Sequence, residues 1–491
     1  MPDRQDAMEE GEGNEGRERE EEREEDDSEG SSYEHEEDEE VENADLDSDT
    51  MVLIDFDAEE SGEHDTGDDE SSFPSDDEEH SMNEDGDVNE ELSRRRTQML
   101  ESMNYDPNLP AAHTYLGERS TASGEVIGIC KDGDVLDVPV VRASRIIMFP
   151  GQSVPMMESN PRLVNLLLRI LSDPNERKLV FVNEAIAQKV WNLEDPAGSI
   201  GTTAEIRSYC HTPEALNIVL EGRQRVRVQK VVVVEHVLRA VVEVLPESSP
   251  PSVPRSLALV NTRARSCRRD RCQPSFLFWP MWAFNMYDAV ELCDRAKKLF
   301  SAITGNIPVA CPQHPVAFSF WLSSNLVLKV LDHQKLLEAH STVARLRMLI
   351  NFLERMGAMT CIRCRINICD YKQSFCMSAE GPVSVYVNPA GVVHSTVTFY
   401  AARNLRLIGE RSTQHSWFPG YAWRIAVCAN CGTHMGWRFS CVKEDSIPRS
   451  FWSIFTDFTL PIAELVEQGI VQGFTSIVNG CDSVKRERNG S

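Results

Sequence analysis

Two Cys-x-x-Cys pairs, Cys361 with Cys364 and Cys428 with Cys431, constrain this chain most, because bringing four thiols to one point ties together stretches 63 residues apart. A two-residue gap lets a tight turn present both sulfurs to one ion, and Zn²⁺ takes four tetrahedral thiolates at about 2.3 Å. Four thiolates leave no coordination position for water. The expected cofactor is therefore one structural Zn²⁺ on Cys361, Cys364, Cys428 and Cys431, whose binding energy is folding energy for the surrounding strands. Cys369 and Cys376 lie near the first pair at poorer spacing and are expected to be core or surface thiols.

Charge divides the chain before any motif does. The formal charge is −30, yet residues 1–92 hold 43 of the 79 acids and only four Arg, so this stretch is −39 and the remainder +9. A segment that is nearly half carboxylate cannot bury enough apolar surface to offset its ordering entropy, so an acidic disordered tail is expected over 1–92. Its short apolar interruption, Met51 to Phe56, is more readily an incidental cluster in such a tail than a docking peptide. No basic-then-apolar leader opens the chain and no apolar run reaches the length of a membrane span, so a soluble protein of the nucleus and cytoplasm is expected, without a membrane partner. In a reducing compartment the 14 Cys are not expected to form disulfides.

With 491 residues, several cores are expected, in an α+β multidomain arrangement. Over 93–250, short β-branched runs such as "GTTAEIRSY" and "LNIVLEGRQRVRVQKVVVV" predict a mostly β domain. One helix interrupts them at "SNPRLVNLLLRILSDP": Ser159 or Asn160 can cap it, Pro161 suits its first turn, and Leu163, Leu166, Leu167 and Leu171 share a face. Segment 251–355 combines a basic loop, Arg263 to Arg271, with helical periodicity that predicts a bundle. The basic loop lacks interleaved aromatics, so direct nucleic-acid binding is not expected. Residues 356–460 return to short strands rich in aromatics and glycine, and 461–491 form a terminal tail.

Three of the eight Trp, Trp417, Trp423 and Trp437, fall within 21 positions around the second Cys pair. Indoles so placed can be core filler. Gly420, Gly432 and Gly436 permit close backbone approach, Pro419 stiffens the turn before Tyr421, and a metal knuckle fixes loops that sequence alone leaves loose. Such a scaffold can hold indole faces around a small ring, with a few backbone donors setting its orientation. No acidic side chain lies between Trp417 and Phe439, which favours a neutral polar ring over a cation.

The runs "YVNPAG", "LIGERST", "HSWFPGYAW" and "CANCGTHMGW" resemble the zinc-bound, all-β (β-tent-like) ligand-binding domain of the cereblon family over about 361–458. The resemblance implies that Trp417, Trp423 and Trp437 line a cage with Phe439 at its base. It implies further that the His415 and Trp417 backbones bond a cyclic imide and that Ser416, Tyr421 and Asn388 lie at or near the pocket. The family often carries His where this chain has Ala390, a departure at the outer rim. The pieces "FPGQSVP", "GTTAEI", "EGRQRVRV" and "LLEAHSTVARLR" resemble the amino-terminal domain of Lon proteases over about 110–350. A Lon protease also needs a phosphate-binding loop, Gly-x-x-x-x-Gly-Lys-Ser/Thr, which is absent. In the cereblon family the helical part of this domain docks on the damage-specific DNA-binding adaptor of a cullin-RING ligase.

The expected function is accordingly a substrate receptor of a cullin-RING E3 ubiquitin ligase, binding protein substrates or cyclic-imide small molecules and doing no catalysis itself. The alternative is an oxidoreductase, because "CANCGTHMGWRF" also resembles the zinc knuckle of B-type methionine sulfoxide reductases. That enzyme needs a reactive thiol. Cys441 is the one candidate close downstream, its Arg-Tyr-Cys-x-Asn context is missing, and "FSCVKED" offers only Lys443 as an activating charge.

Overall fold

The computed structural model describes residues 85–121, 130–141, 146–172, 179–182, 195–234, 236–247, 286–305, 311–443, 445–456 and 459–461. The expected disorder of 1–84, the Met51–Phe56 interruption, the basic loop and the tail beyond 461 lie outside them. Residues 85–92 differ from the expectation, because helix α1 (Asp85–Ser102) runs straight through the boundary placed at 92. Once helical, Glu91 meets Arg94 and Arg95 one turn on, and the hydrogen bond from Arg95 holds its carboxyl below the usual range. Arg96, on the same turn, is buried. A single turn, α2 (Asn108–Ala111), and a 3₁₀ turn over Thr114–Leu116 follow.

The next body is a sheet of β1 (Ser120–Thr121), β2 (Val135–Val141), β3 (Ser153–Glu158), β4 (Leu179–Val182), β5 (Ile200–His211), β6 (Leu216–Val234) and β7 (Val237–Val244). Its order is β1-β5-β4-β2-β7-β6-β3, and a further β5–β6 pairing closes the middle strands into a barrel. Between β3 and β4, helix α3 (Pro161–Ser172) starts where Asn160 Oδ1 accepts from the Arg162 N–H at 3.1 Å. It buries Leu163, Val164, Leu167, Ile170 and Leu171, while Leu166, expected on that face, sits at its half-buried edge. Gly222 on β6 admits no side chain: a Cβ there would lie 2.2 Å from the Phe149 carbonyl.

Among the described residues, four helices form the bundle: α4 (Ala289–Thr304), α5 (Pro315–Ser324), α6 (Val330–Glu338) and α7 (Thr342–Arg355). Asp288 caps α4 by accepting from Val290 N–H at 2.9 Å, and Ser341 caps α7 by accepting from Ala344 N–H at 3.2 Å. Phe300, Phe318, Leu336, Leu346 and Leu349 share one core with Ile147 and Phe149 of the barrel body, so bundle and barrel bury each other. Buried Arg225 and Arg345 both pair with Glu247, and Arg225 also donates to the Leu337 and Ala339 carbonyls at and beyond the end of α6.

Among the described residues, the carboxy-terminal body is all β apart from one 3₁₀ turn at Tyr371–Gln373. Strands β8 (Ala358–Cys361) and β9 (Asn367–Asp370) form a small sheet with β16 (Thr459–Pro461). Strands β10 (Val383–Val387), β11 (Val393–Phe399), β12 (Leu405–Ser412), β13 (Tyr421–Cys428), β14 (His434–Cys441) and β15 (Ser450–Phe455) form an antiparallel sheet ordered β10-β11-β15-β14-β13-β12. Side chains alternate along each strand, and the registers sort them into two chemically different faces. Val383, Val397 and Ile454 pack with Met359 and Ile368 of the small sheet, whereas Tyr386, Tyr421, Phe439 and Phe451 pack on the opposite face with Trp417 and Phe418.

Candidate functional site

The metal site is built from two matching turns. Cys361 ends β8 and Cys428 ends β13, and the residue after the second Cys of each pair, Arg365 or Gly432, has φ of 64° or 74°. That left-handed residue folds the chain back, so that Arg365 N–H bonds the Cys361 carbonyl and Gly432 N–H the Cys428 carbonyl, both at 2.9 Å. The four sulfurs lie within 4.8 Å of one another, with Cys361–Cys431 at 3.6 Å and Cys364–Cys428 at 3.5 Å. A tetrahedron with metal–sulfur bonds of about 2.3 Å has edges of about 3.8 Å, so the four thiols fit one structural Zn²⁺. Burial raises the Cys431 thiol, but hydrogen bonding to Thr433, Cys364 and Cys428 outweighs it and brings it down to about 6. Cys369 stays apart from the site, in the aliphatic core, where burial pushes its thiol up.

The second knuckle anchors the strand pair that carries the indoles. Trp423 on β13 stands opposite Phe439 on β14, and Trp437 lies two residues before Phe439 on the same face. Trp417 arrives from the loop between β12 and β13, only 6% exposed, with its ring 4.5 Å from Trp437 at 74°. Phe439 lies beneath, 6.5 Å from Trp417, stacked on Phe451 at 5.3 Å and edge-on to Phe418 at 4.8 Å. Trp423 Nε1–H donates to the Gln414 carbonyl at 2.8 Å, which pins the loop to the strand. Within that loop His415 is exposed at φ 51°, Ser416 N–H bonds the Thr413 carbonyl at 3.2 Å, and Ser416 Oγ donates to the Phe418 carbonyl at 3.1 Å.

Two of the expected residues are engaged elsewhere. Asn388 closes the β10–β11 hairpin, its Oδ1 accepting from Val392 N–H at 2.8 Å, and Ala390 is exposed on the same turn. Tyr421 is buried against Tyr105 and Phe451, its hydroxyl donating to the Pro448 carbonyl at 2.7 Å, and burial pushes that phenol up. Conversely, the sequence does not single out Tyr386 or His394. Tyr386 stacks on Trp417 at 4.9 Å with only 10° between the planes. His394, opposite Tyr386 in the register, lies 5.9 Å from Trp417 and 5.5 Å from Trp437, and burial, aided by His434, lowers its imidazole to about 4. Behind Tyr386 stand His113 and Tyr115, whose hydroxyl accepts from Val387 N–H at 3.2 Å.

Comparisons with known proteins agree with this architecture. Residues 137–355 match the family model for the ATP-dependent protease La (LON) substrate-binding domain, and residues 358–461 match that for Yippee zinc-binding/DNA-binding/Mis18, centromere assembly. Protein cereblon of Danio rerio is 31% identical over 401 residues, covering 75% of this chain and 90% of that protein. Protein cereblon of Gallus gallus is 30% identical over 391 residues, covering 73% and 85%, and that of Xenopus tropicalis 29% over 398, covering 74% and 87%. Similarity on this scale spans barrel, bundle and zinc-bound sheet together, and the chain therefore belongs to the cereblon family.

Proposed function

We propose that this chain is the substrate-recognition receptor of a cullin-RING E3 ubiquitin ligase, promoting ubiquitination and proteasomal degradation in the nucleus and cytoplasm. The observation that carries the reading is the indole cluster on a sheet fixed by a zinc knuckle, with Trp417 against Trp437 and Trp423 opposite Phe439. Aromatic walls with the backbone of His415 and Trp417 alongside suit a neutral cyclic imide, free or at the end of a protein substrate. The contribution to ubiquitin transfer is proximity: the receptor holds the substrate lysine near a ubiquitin-loaded enzyme and performs no bond-making itself.

In this reading the bundle binds the damage-specific DNA-binding adaptor. The apolar surplus expected in "HQKLLEAHSTVARLRMLINFL" is largely consumed in the bundle core, where Leu336, Leu337, Val343, Leu346, Leu349, Ile350 and Leu353 are buried. Exposed apolar side chains lie instead at the helix starts: Leu331, 73% exposed, with Val330 on α6, and Met286, Tyr287 and Val290 around the start of α4. These are the better candidates for adaptor contact. Affinity purification from cells tests the reading. The adaptor and a cullin are expected with the full chain and lost with Leu331→Glu, while calorimetry with glutarimide loses about 2–4 kcal/mol in Trp423→Ala. No co-purified adaptor, or unchanged glutarimide binding in Trp423→Ala, would overturn the corresponding half. Nothing in the comparisons favours the sulfoxide reductase alternative.

A further inference from the structure

The sheet of the zinc-bound body has a second face. Trp423 and Phe439 pair across β13 and β14 on the indole side, so Arg424 and Arg438, paired one step along the same two strands, project from the opposite side. Arg438 pairs in turn with Trp452 on β15, and its guanidinium lies over that indole, 5.5 Å from the ring centre. Arg411, near the end of β12, adds a third cation, its Nη2–H donating to the Cys441 carbonyl at 3.1 Å. We propose that this arginine row is a docking surface for an acidic, extended segment of a partner protein. None of these residues belongs to the indole cage, so the surface stands apart from the receptor reading.

The row carries charge that the fold does not neutralise. Like charges directly opposite on neighbouring strands repel, and a nearby carboxylate is the ordinary relief. Among the described residues none lies within ion-pair distance of Arg411, Arg424 or Arg438. Each guanidinium is steadied instead by a neutral group: Arg424 Nε–H by the Gly409 carbonyl at 3.1 Å, Arg411 by the Cys441 carbonyl, and Arg438 by the Trp452 ring. A guanidinium has five N–H donors, so one neutral contact fixes its direction and leaves most donors and the whole charge for a ligand. Arg438 Nε is buried without a hydrogen-bond partner, an unmet donor on the row itself.

The spacing selects the partner. Adjacent strands lie about 4.8 Å apart, so cations on β12, β13 and β14 spread over about 10 Å. That exceeds the reach of a single carboxylate or phosphate. It suits an extended chain with an acidic side chain at every second residue, where the charges on one side repeat about every 6.8 Å. Ser440 and Ser450 pair two residues along from Arg438 and Trp452 on the same face, half-buried, and add hydroxyls for the backbone of such a chain. A single-stranded nucleic acid also brings repeated charge, but it needs a free aromatic face for stacking, and Trp452 is half-buried with Arg438 over its ring.

The test uses full-length, zinc-loaded protein and a fluorescein-labelled peptide of alternating Glu and Ser, read by fluorescence anisotropy, with a peptide of alternating Gln and Ser as the neutral control. Only the acidic peptide is expected to bind, more weakly as salt rises past about 0.15 M and equally well with glutarimide at saturation. Affinity is expected to fall about tenfold when Arg424→Gln and Arg438→Gln are combined. Combining Arg403→Gln and Arg406→Gln removes two exposed cations outside the row and is expected to stay within about twofold. Unchanged zinc content and melting midpoint show that each variant is folded. Should the first pair lose zinc, Arg411→Gln, on an exposed side chain, decides with an expected loss of about threefold. No binding by the wild type, equal binding of the neutral peptide or undiminished affinity in the folded row variants would overturn the proposal. An equal loss in the control pair would reduce it to net charge, and displacement by glutarimide would place the peptide in the cage, each overturning it as well. A uridine oligonucleotide that bound more tightly than the peptide and was lost in the row variants would give the surface to RNA and overturn the peptide assignment. Failure of glutarimide itself to bind counts against the cage reading alone, because the peptide is scored without it.

Discussion

Tyr386 decides how Trp417 stands. A tryptophan on a loop has rotamers to choose from, and a parallel ring at 4.9 Å from a residue on a buried strand removes most of that choice. Replacing Tyr386 by Leu keeps an apolar side chain but deletes the stack, worth about 0.5–1.5 kcal/mol beyond area burial. Glutarimide affinity is expected to fall several-fold by calorimetry while zinc content stays at one per chain. Equal loss of zinc would mean that Tyr386 supports the sheet and not the indole. The metal predicts a different pattern: Cys428→Ser leaves the knuckle short of a thiolate and is expected to abolish zinc, by elemental analysis, together with the folded signal of residues 358–461, because metal binding and folding are one equilibrium. The sequence displays the cysteines and the three indoles because their chemistry is carried by residue type and spacing within one run. Tyr386 and His394 are invisible there, since their place beside Trp417 depends on which strands pair and in what register, and a shift of one residue would send both to the aliphatic face. Asn388 and Tyr421 are the converse, residues of suitable type whose polar groups the fold spends on a hairpin and on Pro448.

At the scale of elements, α1 shows why a charge count misplaces a boundary. Composition averages over a window, and the acidic run does extend to Glu91. A helix, however, is fixed by which side chains meet one turn apart and by what one face can reach. Arg96 reaches furthest. Its guanidinium, buried and lowered in pKa by desolvation, donates to the Thr304 carbonyl at the end of α4, to the Ile303 carbonyl at 3.4 Å and to the Ser374 carbonyl of the zinc-bound body. It therefore caps one helix and joins two bodies with one side chain. Replacing Arg96 by Ala removes all three of these bonds, and a loss of about 2–4 kcal/mol in chemical denaturation is expected. An unchanged denaturation midpoint would show α1 to be a surface appendage. The barrel and bundle were more legible than α1. Alternating β-branched runs and the 3.6-residue period of α7 announce their own elements, but periodicity says nothing of Arg96, whose partners lie more than 200 positions away.

At the scale of the whole described chain, the short turn Ser378–Gly381 is where the parts meet. The amino-terminal segment reaches it through Pro107, whose carbonyl accepts from Ala379 N–H. The bundle reaches it through Trp321 Nε1–H and Asn325 Nδ2–H, which donate to the Glu380 carbonyl at 2.8 and 3.1 Å, and the barrel body reaches it through Ser153, which hydrogen-bonds the Glu380 side chain. Gly381 is required for this closeness, as a Cβ would lie 1.9 Å from Asn325 Oδ1. Burial pushes the Glu380 carboxyl up to about 8, with the Ser153 hydrogen bond offsetting only part of the cost. The folded chain thus keeps a proton on Glu380 that the unfolded chain releases near 4.5. Between those values the folded state binds the extra proton, so stability falls as pH rises through the window and the full penalty is present above about 8. Glu380→Gln removes the ionisation while keeping the size of the side chain. It is expected to melt with the wild type at pH 5 and about 2–4 °C above it at pH 9, a crossover that background titrations shared by both proteins cannot produce. Identical melting curves at both pH values would place the carboxyl in solvent, and a variant less stable at pH 9 would mean that the ionised carboxylate, not the acid, holds the three parts together.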